Sequence, residues 1–191
     1  MANGSDQAGL GIASRDCGIV QFDGWDGAME RFETDLAPRL GGQLPTKVGE
    51  TTYQDGKLVI RIAPRRFWLL SDGSLPPIDI DPELGCMLEL GEGRVRLRLS
   101  GQNIKHVLER CVVVDWDSLQ QGKGVQVGFH RVPVLLLRTG SFQCDLFVPR
   151  SFGRSLVEWI SGASAGVTRL SASSCRDGRW AADPPLISAI R

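Results

Sequence analysis

The amino-acid sequence predicts an α+β fold in which antiparallel strands lie under helices. The period of the hydrophobic pattern changes along the chain. Aliphatic residues alternate with arginines over 94–99 and recur at helical spacing over 104–111. Two apolar runs, 132–138 and 142–148, follow, separated by the Thr-Gly-Ser sequence at 139–141, which is typical of a hairpin connection. The order strand, helix, strand, strand therefore describes one α+β unit.

The run at 94–99 is predicted to be a half-buried strand. Its aliphatic residues share one face, while Arg94, Arg96 and Arg98 share the other. Ser100 ends the alternation and is a residue type that begins helices well.

A second helix is predicted directly after the run at 142–148. Ser151 is in place to cap it, and a buried stripe is expected at Phe152, Leu156, Trp159 and Ile160. Because the connection from the preceding strand is short, this helix is expected to lie back across the sheet. Trp159 is therefore predicted to be a core anchor.

The first half of the chain repeats the same order of elements. A helix is predicted at 25–40, although Pro38 makes its last turn doubtful. The predicted strands are 17–22, 57–63, 67–70 and the short 86–90. Residues 44–52 are predicted to be loop or irregular strand.

The predicted organisation is a single compact domain made of two β-α-β-β halves with antiparallel sheets and packed helices. The domain covers residues 17–170, and its halves are about 17–90 and 91–170. The two halves share no residue-level identity, so the repeat is topological. Residues 1–16 are predicted to be a flexible N-terminus and 171–191 a C-terminal tail, both rich in small residues.

Charge and composition restrict the class of protein. Of 191 residues, 22 are basic and 22 acidic, so the chain lacks the cationic excess that nucleic-acid binding requires. Residues 1–16 have no apolar core of a secretory signal, and no apolar run reaches the ~20 residues needed to cross a bilayer. The five widely spaced cysteines favour a reduced, cytoplasmic protein. We therefore expect neither a nucleic-acid nor a membrane partner.

The sequence contains no recognisable catalytic or metal-binding constellation. His106 and His130 have no cysteine or carboxylate at ligand spacing, so neither a catalytic site nor a metal site is predicted. The glycine pairs at 91–93 and 122–124 are too short to cradle a phosphate. Asp115 and Asp117 flank a tryptophan in a loop, where acids are usually turn formers.

Large aromatic and basic residues without a predicted core position suggest a partner interface. Trp, Phe and Arg are enriched at such interfaces. The candidates are Trp25, Arg65, Arg66, Trp116, Phe129 and Trp180. Ordinary packing at the ends of secondary-structure elements is the alternative interpretation.

Several segments resemble the gamma subunit of heterotetrameric sarcosine oxidase. The similar segments are Leu-Ser-Gly at 99–101, Val-Pro-Val-Leu-Leu-Leu-Arg at 132–138, Leu-Phe-Val-Pro-Arg-Ser-Phe at 146–152 with Ser-Leu-Val-Glu-Trp at 155–159, and Ile-Ala-Pro-Arg-Arg-Phe-Trp-Leu-Leu at 62–70. The resemblance covers roughly residues 55–162, and the order and spacing of the motifs carry it.

The resemblance implies a fold related to the aminomethyltransferase and folate-binding proteins. It also implies a non-catalytic small subunit that serves assembly and stability of a large alpha subunit, with beta and delta subunits in the same complex. Such complexes oxidise N-methylated amino acids. The resemblance places FAD, FMN, NAD and tetrahydrofolate on the partner subunits and no cofactor on this chain.

Two alternatives remain open from the sequence. The first is a stand-alone folate- or one-carbon-binding protein of the same fold. Related proteins of that kind carry Lys-Gly-Cys-Tyr-x-Gly-Gln-Glu, whereas residues 123–130 here read Lys-Gly-Val-Gln-Val-Gly-Phe-His. No folate site is therefore assigned. The second alternative is a small hydrolase or transferase whose site is assembled from scattered residues.

Overall fold

A computed structural model describes residues 10–54, 56–73, 75 and 77–171. The helices are α1 (Met29–Arg39), α2 (Ile104–Cys111) and α3 (Gly153–Ser171), and a 3₁₀ turn at Arg150–Phe152 precedes α3. The strands are β1 (Gly11–Arg15), β2 (Gly18–Gly24), β3 (Thr51–Gln54), β4 (Lys57–Ala63), β5 (Arg66–Ser71), β6 (Gly85–Glu89), β7 (Arg94–Ser100), β8 (Gly124–Phe129), β9 (Val132–Gly140) and β10 (Gln143–Pro149).

The strands form two antiparallel five-stranded sheets. Sheet A has the order β1-β7-β10-β9-β8, and sheet B has the order β3-β4-β5-β2-β6. The order β8-β9-β10-β7 in one sheet matches β3-β4-β5-β2 in the other, and a helix follows β2 and β7 alike. The predicted α+β fold of two halves with antiparallel sheets is therefore confirmed.

The two sheets and the helices on their outer faces form four layers, which pack through apolar faces. Helices α2 and α3 cover the outer face of sheet A, where Leu97, Val107 and Leu156 belong to one buried cluster. Helix α1 covers the outer face of sheet B through Phe32 and Leu36. The inner faces of the two sheets pack against each other, and their shared cluster is Cys17, Ile19, Leu58, Ile60, Ile62, Trp68, Leu70, Leu135, Leu137 and Phe147.

The prediction of a flexible terminus over 1–16 is wrong for Gly11–Arg15. This segment is strand β1, which pairs with β7 from Gly11↔Ser100 to Arg15↔Arg96. Its small and polar residues carry little hydrophobic pattern, so the pairing partner and not local periodicity makes it a strand. The predicted tail at 172–191 lies outside the described residues.

Two further strands were not recognised from the sequence as regular elements. Strand β3 is only four residues long, and β8 has a glycine at its first and fifth positions, Gly124 and Gly128. Both are edge strands that a longer neighbour holds in register, β4 and β9 respectively. Each half thus contains one strand that was not predicted, β3 in the first half and β8 in the second.

Helix α1 begins four residues later than predicted. Gly27 has φ +78°, which ends the turn after β2 and prevents a helix from starting at Trp25. The backbone N–H of Trp25 instead donates to the carbonyl of Leu84. Pro38 lies within the last turn of α1, one residue before its end, so its missing N–H removes one bond of the intrahelical ladder close to the point where the helix stops.

The prediction of a Ser151 cap and a four-residue buried stripe on the last helix is wrong in part. The helix begins at Gly153, and a Cβ there would lie 2.9 Å from Val95 Cγ1, so the helix approaches β7 closely. Leu156 and Ile160 are buried as predicted, but Phe152 and Trp159 are 44% and 42% exposed. Phe152 belongs to the 3₁₀ turn that precedes the helix, and Trp159 lies at the edge of the buried stripe.

Candidate functional site

Strand β7 is buried on both faces, not on one. Its aliphatic residues face α2 and α3, and its arginines face sheet B. Arg96 and Arg98 are 1% and 0% exposed. Because a second sheet covers the face that was predicted to be open, these guanidinium groups need partners inside the protein.

Each buried arginine is matched to a particular group. Arg98 forms a two-pronged ion pair with Asp145 on β10, with Nε–Oδ1 at 2.9 Å and Nη2–Oδ2 at 3.0 Å. The Arg94 guanidinium lies 5.1 Å from the centre of the Trp68 ring, across the space between the sheets. The Arg94–Trp68 contact joins β7 to sheet B, whereas the Arg98–Asp145 pair joins neighbouring strands of sheet A.

Arg96 is the least satisfied of the three. Its Nη1 donates to Asp72 at the end of β5, while its Nε has no hydrogen-bond partner among the described residues. The neighbouring thiol of Cys17 has its pKa raised to about 11, chiefly because it is buried. A thiol with that pKa is protonated at neutral pH and is a poor nucleophile. The three arginines of β7 therefore have a structural role, and no catalytic role is evident for them or for Cys17.

On the opposite side of the molecule the two halves are joined through backbone and side-chain hydrogen bonds. The Gly124 N–H donates to the Gly49 carbonyl at 2.8 Å, and the Thr51 hydroxyl donates to the Gly122 carbonyl at 2.6 Å. Lys123 Nζ lies 3.0 Å from Glu50 Oε1.

Hydrogen bonding at this junction shifts the titration of Glu50. Its pKa is lowered to about 2, first by the Lys123 ammonium and then by the Lys47 N–H and the Thr46 hydroxyl. The carboxylate is therefore charged throughout the neutral range and holds Lys123 in place.

Three of the six predicted interface residues lie at one corner of sheet B. The Trp25 ring is partly exposed, and its indole N–H donates to the Pro82 carbonyl at 2.8 Å. Arg65 pairs with Asp26 at 2.9 Å, and Arg66 pairs with Asp23. These side chains are accessible and lie beside the start of β6.

Two other predicted interface residues, Trp116 and Phe129, are buried within this chain. Trp116 lies under the Arg138 guanidinium, 4.4 Å from its ring centre, and Arg138 Nη1 also donates to the Trp116 carbonyl. Phe129 ends β8 inside the cluster between sheet A and its helices. The predicted interface residue Trp180 lies outside the described residues.

An exposed aromatic group that the sequence did not reveal lies above Phe129. The Trp159 ring stacks on Phe129 at 6.2 Å and 7°, and the His130 ring meets Trp159 edge-on at 4.5 Å. His130 has φ +54° in the two-residue turn between β8 and β9. Periodicity placed Trp159 in the core because it lies three residues after Leu156.

The acidic and histidine side chains considered as catalytic candidates are exposed and paired locally. His106 projects from α2, with Nδ1 3.7 Å from Glu109 Oε2. The Asp115 carboxylate accepts from the Ser118 hydroxyl at 2.6 Å and from the N–H of Asp117, which lowers its pKa. Asp117 pairs with Lys105. Within the described residues, no three His, Cys, Asp or Glu side chains are grouped to hold a metal ion.

None of the helices in the described part of the chain combines the length and the apolar character that a bilayer span requires.

Comparisons with known proteins place this arrangement in a class of folds. No protein-family model matches the chain. The crystal structure of the glycine cleavage system aminomethyltransferase T from Bartonella henselae matches with a TM-score of 0.54 at 18% identity, over 89% of this chain and 53% of that one. The chain thus has a fold similar to part of an aminomethyltransferase.

A closer similarity is to sarcosine oxidase. A chain of the heterotetrameric sarcosine oxidase from Corynebacterium sp. U-96, in complex with pyrrole 2-carboxylate, matches with a TM-score of 0.72 at 21% identity and covers 90% of both chains. The sarcosine oxidase subunit gamma of Corynebacterium sp. (strain U-96) is 28% identical over 136 residues, 67% of this chain and 66% of that protein. The match therefore spans just under two thirds of the relative. The resemblance to the sarcosine oxidase gamma subunit is confirmed.

Proposed function

We propose that this chain is the small subunit of a sarcosine-oxidase-type complex that oxidises an N-methylated amino acid. The observation that carries the proposal is its 28% identity, over 136 residues, to a sarcosine oxidase gamma subunit. The fold supports the proposal, because this chain and a chain of a heterotetrameric sarcosine oxidase align over 90% of the length of both.

Within such a complex the proposed role is assembly and stability of a large alpha subunit, alongside beta and delta subunits. FAD, FMN, NAD and tetrahydrofolate would then be bound by those partners. Two features support a non-catalytic role. Arg96 and Arg98 form ion pairs within the chain, and both histidines are exposed, one on helix α2 and one in the turn between β8 and β9.

The proposed compartment is the cytoplasm. The described cysteines, Cys17, Cys86, Cys111 and Cys144, are all free thiols, which is usual in a reducing compartment.

Purification from the natural host tests the proposal. A tagged chain should bring down larger chains that carry flavin absorption, and the complex should oxidise sarcosine or another N-methylated amino acid. Mass spectrometry identifies the chains, and dye reduction or oxygen uptake measures turnover. A chain that purifies alone and binds tetrahydrofolate tightly would contradict the proposal and favour the stand-alone folate-binding function.

A further inference from the structure

Strand β6 is a free edge of sheet B. It pairs with β2 on one side only, from Gly24↔Gly85 to Val20↔Glu89, and no strand among the described residues pairs with its other side. Unlike protected edges, it contains no lysine, proline or bulge. Its residues 85–89 read Gly-Cys-Met-Leu-Glu.

The direction of each backbone group on β6 follows from its pairing. The Leu90 N–H donates to the Ile19 carbonyl, and the Leu84 carbonyl accepts from the Trp25 N–H. Since hydrogen-bonding direction alternates along an antiparallel strand, residues 84, 86, 88 and 90 face β2. The N–H and C=O groups of Met87 and Glu89 therefore face away from the sheet.

The side chains of β6 offer contacts on both faces of the strand. Met87 lies across from Phe22 and shares the face that α1 covers, whereas Leu88 lies across from Gln21 on the face toward sheet A. Both are exposed, Leu88 by 54%, so neither α1 nor sheet A covers β6 at these two residues. An added strand would bury apolar surface on both faces.

The charged side chains around this edge predict the charge of the strand that can bind there. Residues 79–92 contain five exposed acidic side chains and no lysine or arginine: Asp79, Asp81, Glu83, Glu89 and Glu92. The nearby Arg66 and Arg150 are paired with Asp23 and Asp16. A second copy of this chain would bring five more acids to the same edge and be repelled, whereas a basic strand would be attracted.

We infer that the β6 edge receives an extended segment of a partner subunit, in which apolar side chains are flanked by lysine or arginine. The added strand pairs with the N–H and C=O groups of Met87 and Glu89 and continues sheet B into the partner. This inference rests on the proposed function, because it assigns the contact surface by which the chain joins its complex.

Two variants at one position separate backbone pairing from side-chain contact. Met87→Pro removes an N–H that faces outward and leaves the pairing with β2 in place. Met87→Ala removes the side chain but keeps the N–H. Assembly with the co-expressed partner chains should weaken about ten-fold or more for Met87→Pro, as expected from losing outward hydrogen bonds, and by only a few-fold for Met87→Ala. The melting temperature of the lone variants shows whether the chain still folds.

Hydrogen exchange tests the same inference on the wild-type chain, without any substitution. The amides of Met87 and Glu89 should exchange much more slowly in the purified complex than in the lone chain. The Leu88 amide, which already bonds to β2, should be slow in both and serves as an internal control.

Replacing Glu83 and Glu89 by Gln should weaken assembly and reduce its dependence on salt.

The possible results separate the two proposals. If a flavin-containing complex forms but Met87 exchanges equally fast in both states, the β6 inference is wrong and the proposed function stands. If no partner chain associates at all, both are wrong. If the lone chain dimerises and Met87→Pro abolishes the dimer, the edge binds a second copy, which overturns the inferred basic partner strand.

Discussion

At the scale of single residues, the arginines of β7 show what local periodicity can and cannot predict. Alternation correctly identified the strand and its apolar face. It also led to the expectation of a half-buried strand, because one strand's pattern contains no information about a second sheet above it. Arg98 is fully buried because Asp145, 47 residues away in the chain, supplies the matching charge.

Removing one partner of the Arg98–Asp145 pair should lower the free energy of unfolding strongly, whereas replacing both partners should have a small effect. Asp145→Ala removes the carboxylate that balances the buried Arg98 charge and should lower the free energy of unfolding by about 3–5 kcal/mol. Replacing both residues, as Arg98→Met with Asp145→Leu, should recover most of that loss because apolar side chains then take the place of this buried ion pair. Urea unfolding measures both effects.

The exposed Asp35–Arg39 pair is the control for this experiment. Asp35→Asn should cost less than about 1 kcal/mol, since water screens a surface ion pair. If Asp145→Ala were as mild as Asp35→Asn, water would have to reach Arg98, contrary to its burial.

Trp159 and Leu156 provide a second residue-scale prediction. Leu156→Ala should destabilise the chain by about 2–5 kcal/mol, because Leu156 is fully buried. Trp159→Ala should cost less than Leu156→Ala, because a ring that is 42% exposed loses only part of its burial together with its stacking contact with Phe129. Thermal or urea unfolding distinguishes the two. A larger loss for Trp159→Ala than for Leu156→Ala would restore the sequence-based prediction of a core anchor.

At the scale of elements, long and strongly patterned segments were predicted well, and short edge strands were not. Strands β7, β9 and β10 and helix α2 were all predicted within about two residues of their bounds. Strands β1, β3 and β8 depend on neighbours far away in the sequence, so their own residues give little signal. Trp116, a candidate interface residue that is buried, and Trp159, a predicted core residue that is 42% exposed, depend on the same long-range packing.

The junction between the halves can be tested at Gly49. An added Cβ would lie 2.6 Å from the Gly124 carbonyl oxygen, in a residue with φ +86°. Gly27 has a similar φ of +78° but open space around its Cα. Gly27→Ala should therefore cost about 1–2 kcal/mol from backbone strain alone.

Gly49→Ala should cost about 1–3 kcal/mol more than Gly27→Ala, because the two backbones must also move apart. Comparison of the unfolding free energies of the two variants isolates that contact. Equal losses would show that Gly49 and Gly124 do not lie together in solution.

At the scale of the whole molecule, the sequence predicted two topologically similar halves, and the structure shows how they combine. The inner faces of both sheets form one shared cluster, in addition to the cluster that each sheet forms with its own helices. The resemblance to a sarcosine oxidase gamma subunit was visible in the order of weak motifs. The surface that meets a partner was not, because accessibility depends on how the layers stack.

The central claim is that this chain contributes structure and no catalytic group to a sarcosine-oxidase-type complex. The most direct measurement is the turnover, per flavin, of the assembled complex that carries His106→Ala and His130→Ala together. The expected result is a turnover within a few-fold of the unaltered complex. A loss of roughly 10²–10⁴-fold with intact assembly, the size expected when a general acid or base is removed, would contradict the claim.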